Sequence, residues 1–160
     1  MNKIYIGKIV NTHGIKGEIR ILSDFQYKDK VFIIGNSIII DDKEYIIKSY
    51  RVHKNFDMVT LDDYNNINDV LFLMKKNVYY DKDKLVLNDN EILDEDLIKY
   101  KVITLDNKEG TIKEIFYASK TNKILRIMLD KEILVPISSN LIKKIDKNKK
   151  EITIELIDGM

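Results

Sequence analysis

The sequence predicts an all-β protein with minor helix, built from two small β-barrel domains joined by a short linker. Ala118 is its only alanine, whereas β-branched and aromatic residues, which favour strands over helices, occur throughout. The apolar runs are short, about four to eight residues, and clusters of Asp, Asn, Gly or Lys separate them. Many short strands at such spacing favour closed barrels, which leave no sheet edge exposed.

The N-terminal half contains most of the predicted strands. Residues 18–22 show the pattern clearly, because strict alternation puts Ile19 and Ile21 on one face of the strand. One helix is predicted over residues 66–74, where Asn66 can cap the first turn and apolar residues recur at helical spacing. A hairpin is predicted over residues 36–47, and its second arm continues through 51–54. The other predicted strands are residues 5–10, 18–22, 56–61 and 78–80.

The chain changes character over residues 81–95, where two polar turns flank the small apolar patch 85–87. A strand pattern then resumes, with a turn over 107–110 and Pro136 closing a strand. We therefore predict an N-terminal domain over 1–83, a linker over 84–94 and a C-terminal domain over 95–160. The predicted C-terminal strands are residues 101–105, 111–116, 124–129, 132–135 and 151–157.

The charge balance argues against strong binding to bare nucleic acid. The 160-residue chain has a net charge of +1, with 13 Lys and Arg against 12 Asp and Glu over residues 1–83, and 14 against 14 over 84–160. A protein partner, or RNA presented in a particular shape, fits this balance better. Cysteine is absent, which excludes disulfides and thiolate metal sites. Without a signal-peptide or membrane-spanning pattern, we expect a cytoplasmic protein.

The most distinctive segment is the turn that Gly14 and Gly17 bracket. Three of the six glycines lie between Gly7 and Arg20. Because glycine tolerates positive φ, this segment can reverse sharply and bring polar side chains to a rim. The polar side chains around the turn are His13, Lys16, Glu18 and Arg20.

Residues 13–20, with the sequence His-Gly-Ile-Lys-Gly-Glu-Ile-Arg, resemble the signature of the RimM family of bacterial ribosome maturation factors. Further matches follow in the family's order along nearly the whole chain. They are residues 50–54 (Tyr-Arg-Val-His-Lys), 96–98 (Asp-Leu-Ile) with Val102 and Gly110, 134–136 (Leu-Val-Pro), 142–146 (Ile-Lys-Lys-Ile-Asp) and 152–159.

The resemblance implies an N-terminal barrel like those of translation factors and a C-terminal barrel of the PRC type. It implies a non-enzymatic assembly factor, without a cofactor and monomeric. Such a factor binds the head of the immature small ribosomal subunit through small-subunit ribosomal protein nineteen and nearby ribosomal RNA. It thereby promotes head assembly and efficient processing of the RNA.

The opening of the C-terminal domain departs from the family. The family usually has an aromatic pair shortly before Asp-Leu-Ile and a glycine after it, whereas this chain has Ile92 and Leu93, and Lys99. The resemblance ties this region to docking on protein nineteen, which makes Ile92, Leu93, Asp96 and Leu97 the candidate contacts. Aliphatic residues can fill an apolar anchor role but cannot stack. Alternatively, Ile92 and Leu93 are linker residues that pack the two barrels together.

The basic residues of the two N-terminal motifs are the candidates for contact with ribosomal RNA phosphates or an acidic protein surface. If the motifs meet across the barrel, they form one patch of His13, Lys16, Arg20, Arg51, His53 and Lys54. The alternative is that Arg20 and Arg51 make structural salt bridges with Glu18 and nearby aspartates. Lys143 and Lys144 open the densest basic run, which is either a solvated turn or an auxiliary RNA contact.

We expect neither catalysis nor a metal site. His13 and His53 belong to separate motifs without metal-ligand spacing, and residues 14–17 lack the ending of a phosphate-binding P-loop. Two alternatives to the assembly factor stay open. One is a general RNA-binding β-barrel module without a ribosomal protein partner. The other is an RNA-modifying or hydrolytic enzyme, although no cofactor loop or nucleophile motif is recognisable.

Overall fold

The computed structural model describes residues 2–157 and 159, and these form two compact units, Met1–Val86 and Leu87–Met160. Strands dominate both units, and the helices are short. The strands are β1 Lys3–His13, β2 Glu18–Leu22, β3 Ser37–Ile40, β4 Lys43–His53, β5 Phe56–Leu61, β6 Asn77–Asp81, β7 Lys101–Thr104, β8 Glu109–Ser119, β9 Asn122–Met128, β10 Glu132–Pro136, β11 Ile142–Asp146 and β12 Glu151–Ile154. The helices are α1 Lys28–Val31, α2 Ile67–Val70 and α3 Asp94–Leu97, with 3-10 turns at Leu71–Leu73 and Lys82–Lys84.

The first unit is a closed barrel with the strand order β1-β2-β5-β4-β3-β6. The alternation predicted for residues 18–22 is confirmed, since Ile19 and Ile21 are fully buried in the barrel core. Gly7 lies where β1 crosses this core closely, because a Cβ there would be 2.8 Å from Cγ2 of Ile21. Closure satisfies the edge hydrogen bonds of all six strands.

Turn chemistry fixes the hairpins and the helix of this unit. Asp41 and Asp42, with φ of 50° and 62°, join β3 to β4, as a two-residue hairpin loop requires. Asn66 caps α2 by accepting a hydrogen bond from the backbone N–H of Asp69 at 3.2 Å. The helix predicted over 66–74 is observed as α2 followed by a 3-10 turn, and Lys75, with φ of 65°, then directs the chain into β6.

The second unit is a six-stranded sheet with the order β10-β9-β8-β7-β12-β11. The β7–β12 pair is parallel and the others are antiparallel. Strand β11 includes Lys143 and Lys144, which open the basic run interpreted from the sequence as a solvated turn. The short helices α1 and α3 are not among the predicted elements. The predicted fold class, all-β with minor helix and two small β-barrel domains, is confirmed. Complete closure is found only in the first sheet, whereas the second is open, with β10 and β11 as its edges.

The passage between the units is short. Leu85 packs against the core of the first unit, and Ile92 lies in the core of the second. Lys147 Nζ donates to the backbone oxygen of Asn88 at 2.6 Å, which attaches that residue to the second unit. The domain bounds 1–83, 84–94 and 95–160 stay a prediction.

Candidate nucleic-acid interface

The glycine turn joins β1 to β2 at the pair His13 and Glu18. Gly14 and Gly17 have φ of 74° and 81°, in the left-handed region that favours glycine. The backbone N–H of Ile67 donates to the carbonyl oxygen of Ile15 at 3.0 Å, which holds the turn against the start of α2. The turn is therefore fixed from outside its own hairpin.

Two β-bulges set the direction of the candidate side chains. Plain alternation from buried Ile9 would point His13 into the core, but the β1–β2 register shifts between Ile9 and Asn11. His13 then lies on the outer face, opposite Glu18. A second shift, between Ile47 and Ser49 of β4, does the same for the next motif. It places Arg51 and His53 on the outer face, where alternation from Ile47 would bury them.

The two N-terminal motifs meet on this outer face. The rings of His13 and His53 have centroids 5.8 Å apart. Lys54, with φ of 55°, turns the chain from β4 into β5, and His53 pairs with Phe56 across that turn. We use the name rim cluster for the five basic residues brought together here and Lys16 of the adjoining glycine turn: His13, Lys16, Arg20, Arg51, His53 and Lys54.

Arg20 lies at the centre of the rim cluster. One of its terminal nitrogens, Nη2, is 3.2 Å from Nδ1 of His13, and its guanidinium carbon is 5.1 Å from the centroid of the Phe56 ring. The Nε atom is buried and has no hydrogen-bond partner among the residues that the structure describes. The planar guanidinium is thus held in place by two rings. The sequence predicts Phe56 only as the start of a strand and not as a site residue, although its position directly after the hairpin turn places it opposite His53.

Arg51 makes the structural ion pair that the sequence left open as an alternative. Its Nε and Nη2 atoms donate to the two carboxylate oxygens of Glu18 at 2.9 and 2.7 Å. These hydrogen bonds are the largest cause of a lowered pKa at Glu18, with the charge of Arg51 adding to them. Arg51 therefore brings little uncompensated charge to the rim cluster.

The rim cluster also shifts the pKa of His53. Desolvation, and then the positive charges of Arg51 and Lys54, lower the pKa of the His53 imidazole below its ordinary value of 6.5. His53 is accordingly neutral at neutral pH, when its ring can accept as well as donate hydrogen bonds.

Lys16 and Lys54 supply the exposed positive charge of the rim cluster. Both are exposed, and within residues 2–157 neither has a carboxylate or hydrogen-bond partner. Lysine is a compact cation suited to phosphate oxygens, and the neighbouring guanidinium and imidazole groups add directional donors. This arrangement can bind a phosphate backbone non-covalently, with no bond made or broken.

Lys143 and Lys144 lie on β11 of the second unit. Lys143 pairs with Glu155 at 3.0 Å and Lys144 with Asp146 at 3.8 Å, and both lysines are exposed. Carboxylates thus compensate both charges on the sheet surface. The auxiliary RNA contact stays a prediction.

The residues expected to contact a ribosomal protein are mostly buried. Ile92 and Leu97 lie in the core of the second unit, and Leu93, 4% exposed, precedes α3. Asp96 is half-buried on α3. The three apolar side chains are thus buried in this structure, and their docking role stays a prediction.

A charged network fixes α3 to the sheet beside it. Asp94 accepts hydrogen bonds from Lys123 Nζ and from the Tyr117 hydroxyl, each at 2.6 Å. The Tyr117 ring is 45% exposed, so it places an aromatic surface next to α3. Nothing in the sequence indicates that Tyr117, on β8, lies beside α3.

The described ranges, residues 2–157 and 159, also bear on metal binding and on membrane insertion. Histidine and carboxylate side chains nowhere converge there in a group of three or more that could hold a metal ion. None of the helices in the described part of the chain combines the length and the apolar character needed to cross a membrane.

Comparison with known proteins links this chain to one family. Residues 4–85 match the family model described as the RimM N-terminal domain. Proteins named ribosome maturation factor RimM from Staphylococcus aureus strains MRSA252 and JH9 are each 35% identical to this chain over 166 aligned positions, which cover 99% of this chain and 98% of the relative. A crystal structure from Pseudomonas aeruginosa, described as a 16S ribosomal RNA processing protein RimM, aligns over 98% of both chains with 18% identity and a TM-score of 0.49.

Proposed function

The chain belongs to the RimM family, and from that premise we propose that it is a ribosome maturation factor for the small subunit. It binds the head of the immature subunit through small-subunit ribosomal protein nineteen and nearby ribosomal RNA. Binding promotes assembly of the head and efficient processing of the RNA. The observation that carries the RNA contact is the meeting of the two N-terminal motifs in the rim cluster, where His13 and His53 lie 5.8 Å apart.

The proposed mechanism is selective binding. A factor that binds one conformation of the assembling RNA–protein head better than the others shifts the population toward it by its difference in affinity. Stabilising a fold in this way needs no covalent step, so the protein works without catalytic residues.

Phosphate contacts from the rim cluster supply the salt-sensitive part of the affinity. Lys16 and Lys54 carry the uncompensated charge, and Arg20, held by His13 and Phe56, presents further donors in a fixed plane. The ion pair between Arg51 and Glu18 supports β2 and β4 beneath this surface. A chain with net charge +1 holds RNA weakly through such a local patch alone. Contact with a protein then supplies much of the specificity.

The contact with protein nineteen is assigned to the surface around α3. The half-exposed Tyr117 ring there is an aromatic anchor of the kind that dominates interfaces, and its hydroxyl is tied to Asp94. Replacing Tyr117→Ala should weaken binding to the purified ribosomal protein about tenfold. Tyr117→Phe keeps the ring and should bind within about twofold of the parent. Equal affinity of the parent and the Ala variant would remove Tyr117 from the interface.

Co-sedimentation with free small subunits, large subunits and whole ribosomes tests the proposed function. The expected result is selective association with free small subunits, which the double variant Lys16→Glu/Lys54→Glu weakens by about tenfold or more. The matched control is Lys8→Glu/Lys75→Glu, which makes the same charge change at exposed lysines elsewhere on the first unit. Lys75 matches Lys54 closely, because both have positive φ, 65° and 55°.

Three outcomes count against the proposal. Equal association with all particles, or tight binding of unrelated single strands in moderate salt without selective association with small subunits, would favour the general RNA-binding module. Equal losses for the test and control variants would show that overall charge matters and the rim cluster does not. Thermal unfolding of each variant separates a lost contact from a lost fold.

A further inference from the structure

The first unit also carries a cluster of aromatic rings, formed by β4 and the segment between β5 and β6. The rings of Tyr45 and Tyr64 have centroids 5.4 Å apart, and the next step, from Tyr64 to Phe72, is 6.3 Å. Lys43 Nζ lies 5.3 and 6.0 Å from the first two ring centroids and donates to the Tyr64 hydroxyl at 3.2 Å. We call these four residues the Tyr64–Phe72 surface.

The three rings lead from the core to solvent. Tyr45 is buried in the barrel core, Tyr64 is half-buried against it, and Phe72 is 54% exposed. Phe72 is in the 3-10 turn between α2 and β6, which is held by hydrogen bonds from the Met74 N–H to the Leu71 oxygen at 3.2 Å and from the Lys75 N–H to the Ile9 oxygen at 2.9 Å. A large exposed ring on such a rigid support can stack on a planar partner with little loss of side-chain freedom.

The lysines beside these rings keep their charge uncompensated. Lys43 is held by the Tyr64 hydroxyl and two ring faces, and Lys48 Nζ donates to the side-chain oxygen of Asn65 at 3.3 Å. These partners are neutral. Elsewhere on the unit, Lys3, Lys76 and Lys84 all pair with carboxylates.

We propose that the Tyr64–Phe72 surface binds single-stranded RNA, with an unpaired base stacked on Phe72 and Lys43 and Lys48 against the flanking phosphates. Aromatic rings beside free cations are the usual means of holding single strands without sequence preference. The inference goes beyond the proposed function, because it assigns RNA to residues that the rim cluster does not include.

Two carboxylates limit the contribution of charge at this surface. Asp62 and Asp63 are exposed in the turn that leads to Tyr64. Stacking must therefore provide most of the affinity, and neutralising the two aspartates should increase it. The variant Asp62→Asn/Asp63→Asn is expected to bind RNA several-fold more tightly, since like charge near phosphates opposes binding.

The same unit offers a matched comparison surface. Tyr5 and Tyr79 form an edge-to-face pair with centroids 5.8 Å apart, and Lys3 Nζ lies 4.4 Å from the Tyr79 centroid. Tyr5 is 48% exposed, close to the value for Phe72. However, Asp42 neutralises Lys3 at 2.8 Å, so this pair lacks a free cation. It should not bind RNA.

The test is the affinity of the full chain for a fluorescently labelled octaadenylate, measured by anisotropy at low salt. Phe72→Ala and Phe72→Leu should each weaken binding about fivefold or more, the lower range for one stacked base. Leu keeps an apolar side chain of similar reach, so weaker binding by Phe72→Leu would show that the aromatic ring is required. Tyr5→Ala should bind like the parent.

Several results would overturn the proposal. They are no measurable binding by the parent, no loss with the Phe72 variants, an equal loss with Tyr5→Ala, or no gain with Asp62→Asn/Asp63→Asn. Loss only with Lys16→Glu/Lys54→Glu would move the RNA to the rim cluster, and would leave the proposed function standing. The rim cluster is intact in the Phe72 variants. Co-sedimentation of these variants with small subunits therefore tests the proposed function separately from single-strand binding at the Tyr64–Phe72 surface.

Discussion

Arg51 holds Glu18 through two parallel hydrogen bonds across 33 positions of the sequence, with N···O distances of 2.9 and 2.7 Å. The fork-like geometry is that of the stronger carboxylate–guanidinium pairs. Glu18 is on β2 and Arg51 on β4, and β5 lies between these strands in the barrel. The pair therefore spans a strand and ties the two N-terminal motifs together.

The Arg51–Glu18 pair makes stability depend on pH below about 4.5. Because the folded-state pKa of Glu18 lies below its ordinary value of 4.5, its stabilisation is present above that value and is lost as the pH falls through the lowered folded pKa. Arg51→Gln should unfold at a slightly lower urea concentration than the parent at pH 7, and the difference should shrink toward pH 3. Circular dichroism during urea titration measures it.

The control for this experiment is Lys144→Gln, which removes a cation 3.8 Å from its carboxylate partner on the sheet surface. A pair so long and exposed contributes little, so this variant should match the parent at every pH. A constant difference between Arg51→Gln and the parent from pH 7 to 3 would contradict the assignment to Glu18.

The His53 imidazole makes stability depend on pH in a higher range than the Glu18 carboxylate does, and its charged form is a cation. Its folded-state pKa lies below 6.5, so the unfolded chain binds more protons as the pH falls through 6.5. The parent should therefore lose stability between about pH 7 and 5, and His53→Gln should show a flatter profile over this range. Urea midpoints at several pH values measure the slope. Identical slopes for both proteins would show that the imidazole titrates normally.

Much of the fold could be predicted because local patterns and packing agree. Ile19 and Ile21 alternate with polar residues and are buried, and Asn66 caps the helix whose start it marks. In such segments the spacing of apolar residues along the sequence matches the repeat of the strand or helix that they form. The glycine turn likewise has positive φ at both of its glycines.

The rim cluster could not be built from the sequence, because two register shifts decide it. An alternation rule applied from Ile9 or Ile47 directs His13, Arg51 and His53 inward, and only the bulges turn them outward. A bulge depends on pairing between distant strands and has no local signature here. The burial of Ile92 similarly depends on its packing into the core of the second unit, which the linker-like composition around it conceals.

Gly14 and Gly17 should differ in how much they tolerate a side chain. Both have positive φ, so Ala at either position should cost about 1 kcal/mol of backbone strain. At Gly17 the new Cβ would also lie 2.8 Å from the backbone oxygen of Asn66, whereas at Gly14 nothing lies within 4 Å. Gly17→Ala should therefore cost about 2–3 kcal/mol in total. Equal urea midpoints for the two variants would show that the turn can move away from α2.

A buried charge under the barrel surface gives the last prediction. Asp57 is 1% exposed, and its carboxylate oxygens contact the Tyr50 hydroxyl at 2.5 Å and Lys28 Nζ at 2.9 Å. Burial, followed by the hydrogen bond to Asp57, raises the pKa of Tyr50 above its ordinary value, so its hydroxyl stays a donor. Lys28→Met should cost about 3 kcal/mol, the low end for breaking a buried ion pair, because it leaves a buried carboxylate without its cation but the Lys28 side chain itself is 34% exposed. Tyr50→Phe should cost about 1–2 kcal/mol.

A second substitution distinguishes lost charge compensation from lost packing at this site. In Lys28→Met/Asp57→Asn the neutral amide can still accept from the Tyr50 hydroxyl, and no unpaired charge remains in the barrel. This double variant should recover part of the stability that Lys28→Met loses, as judged by urea unfolding at pH 7. If instead it is as unstable as the single variant, the loss reflects poor packing of the new Met side chain at the barrel surface, because Met keeps most of the aliphatic stem of Lys28 and removing the opposing charge brings no relief.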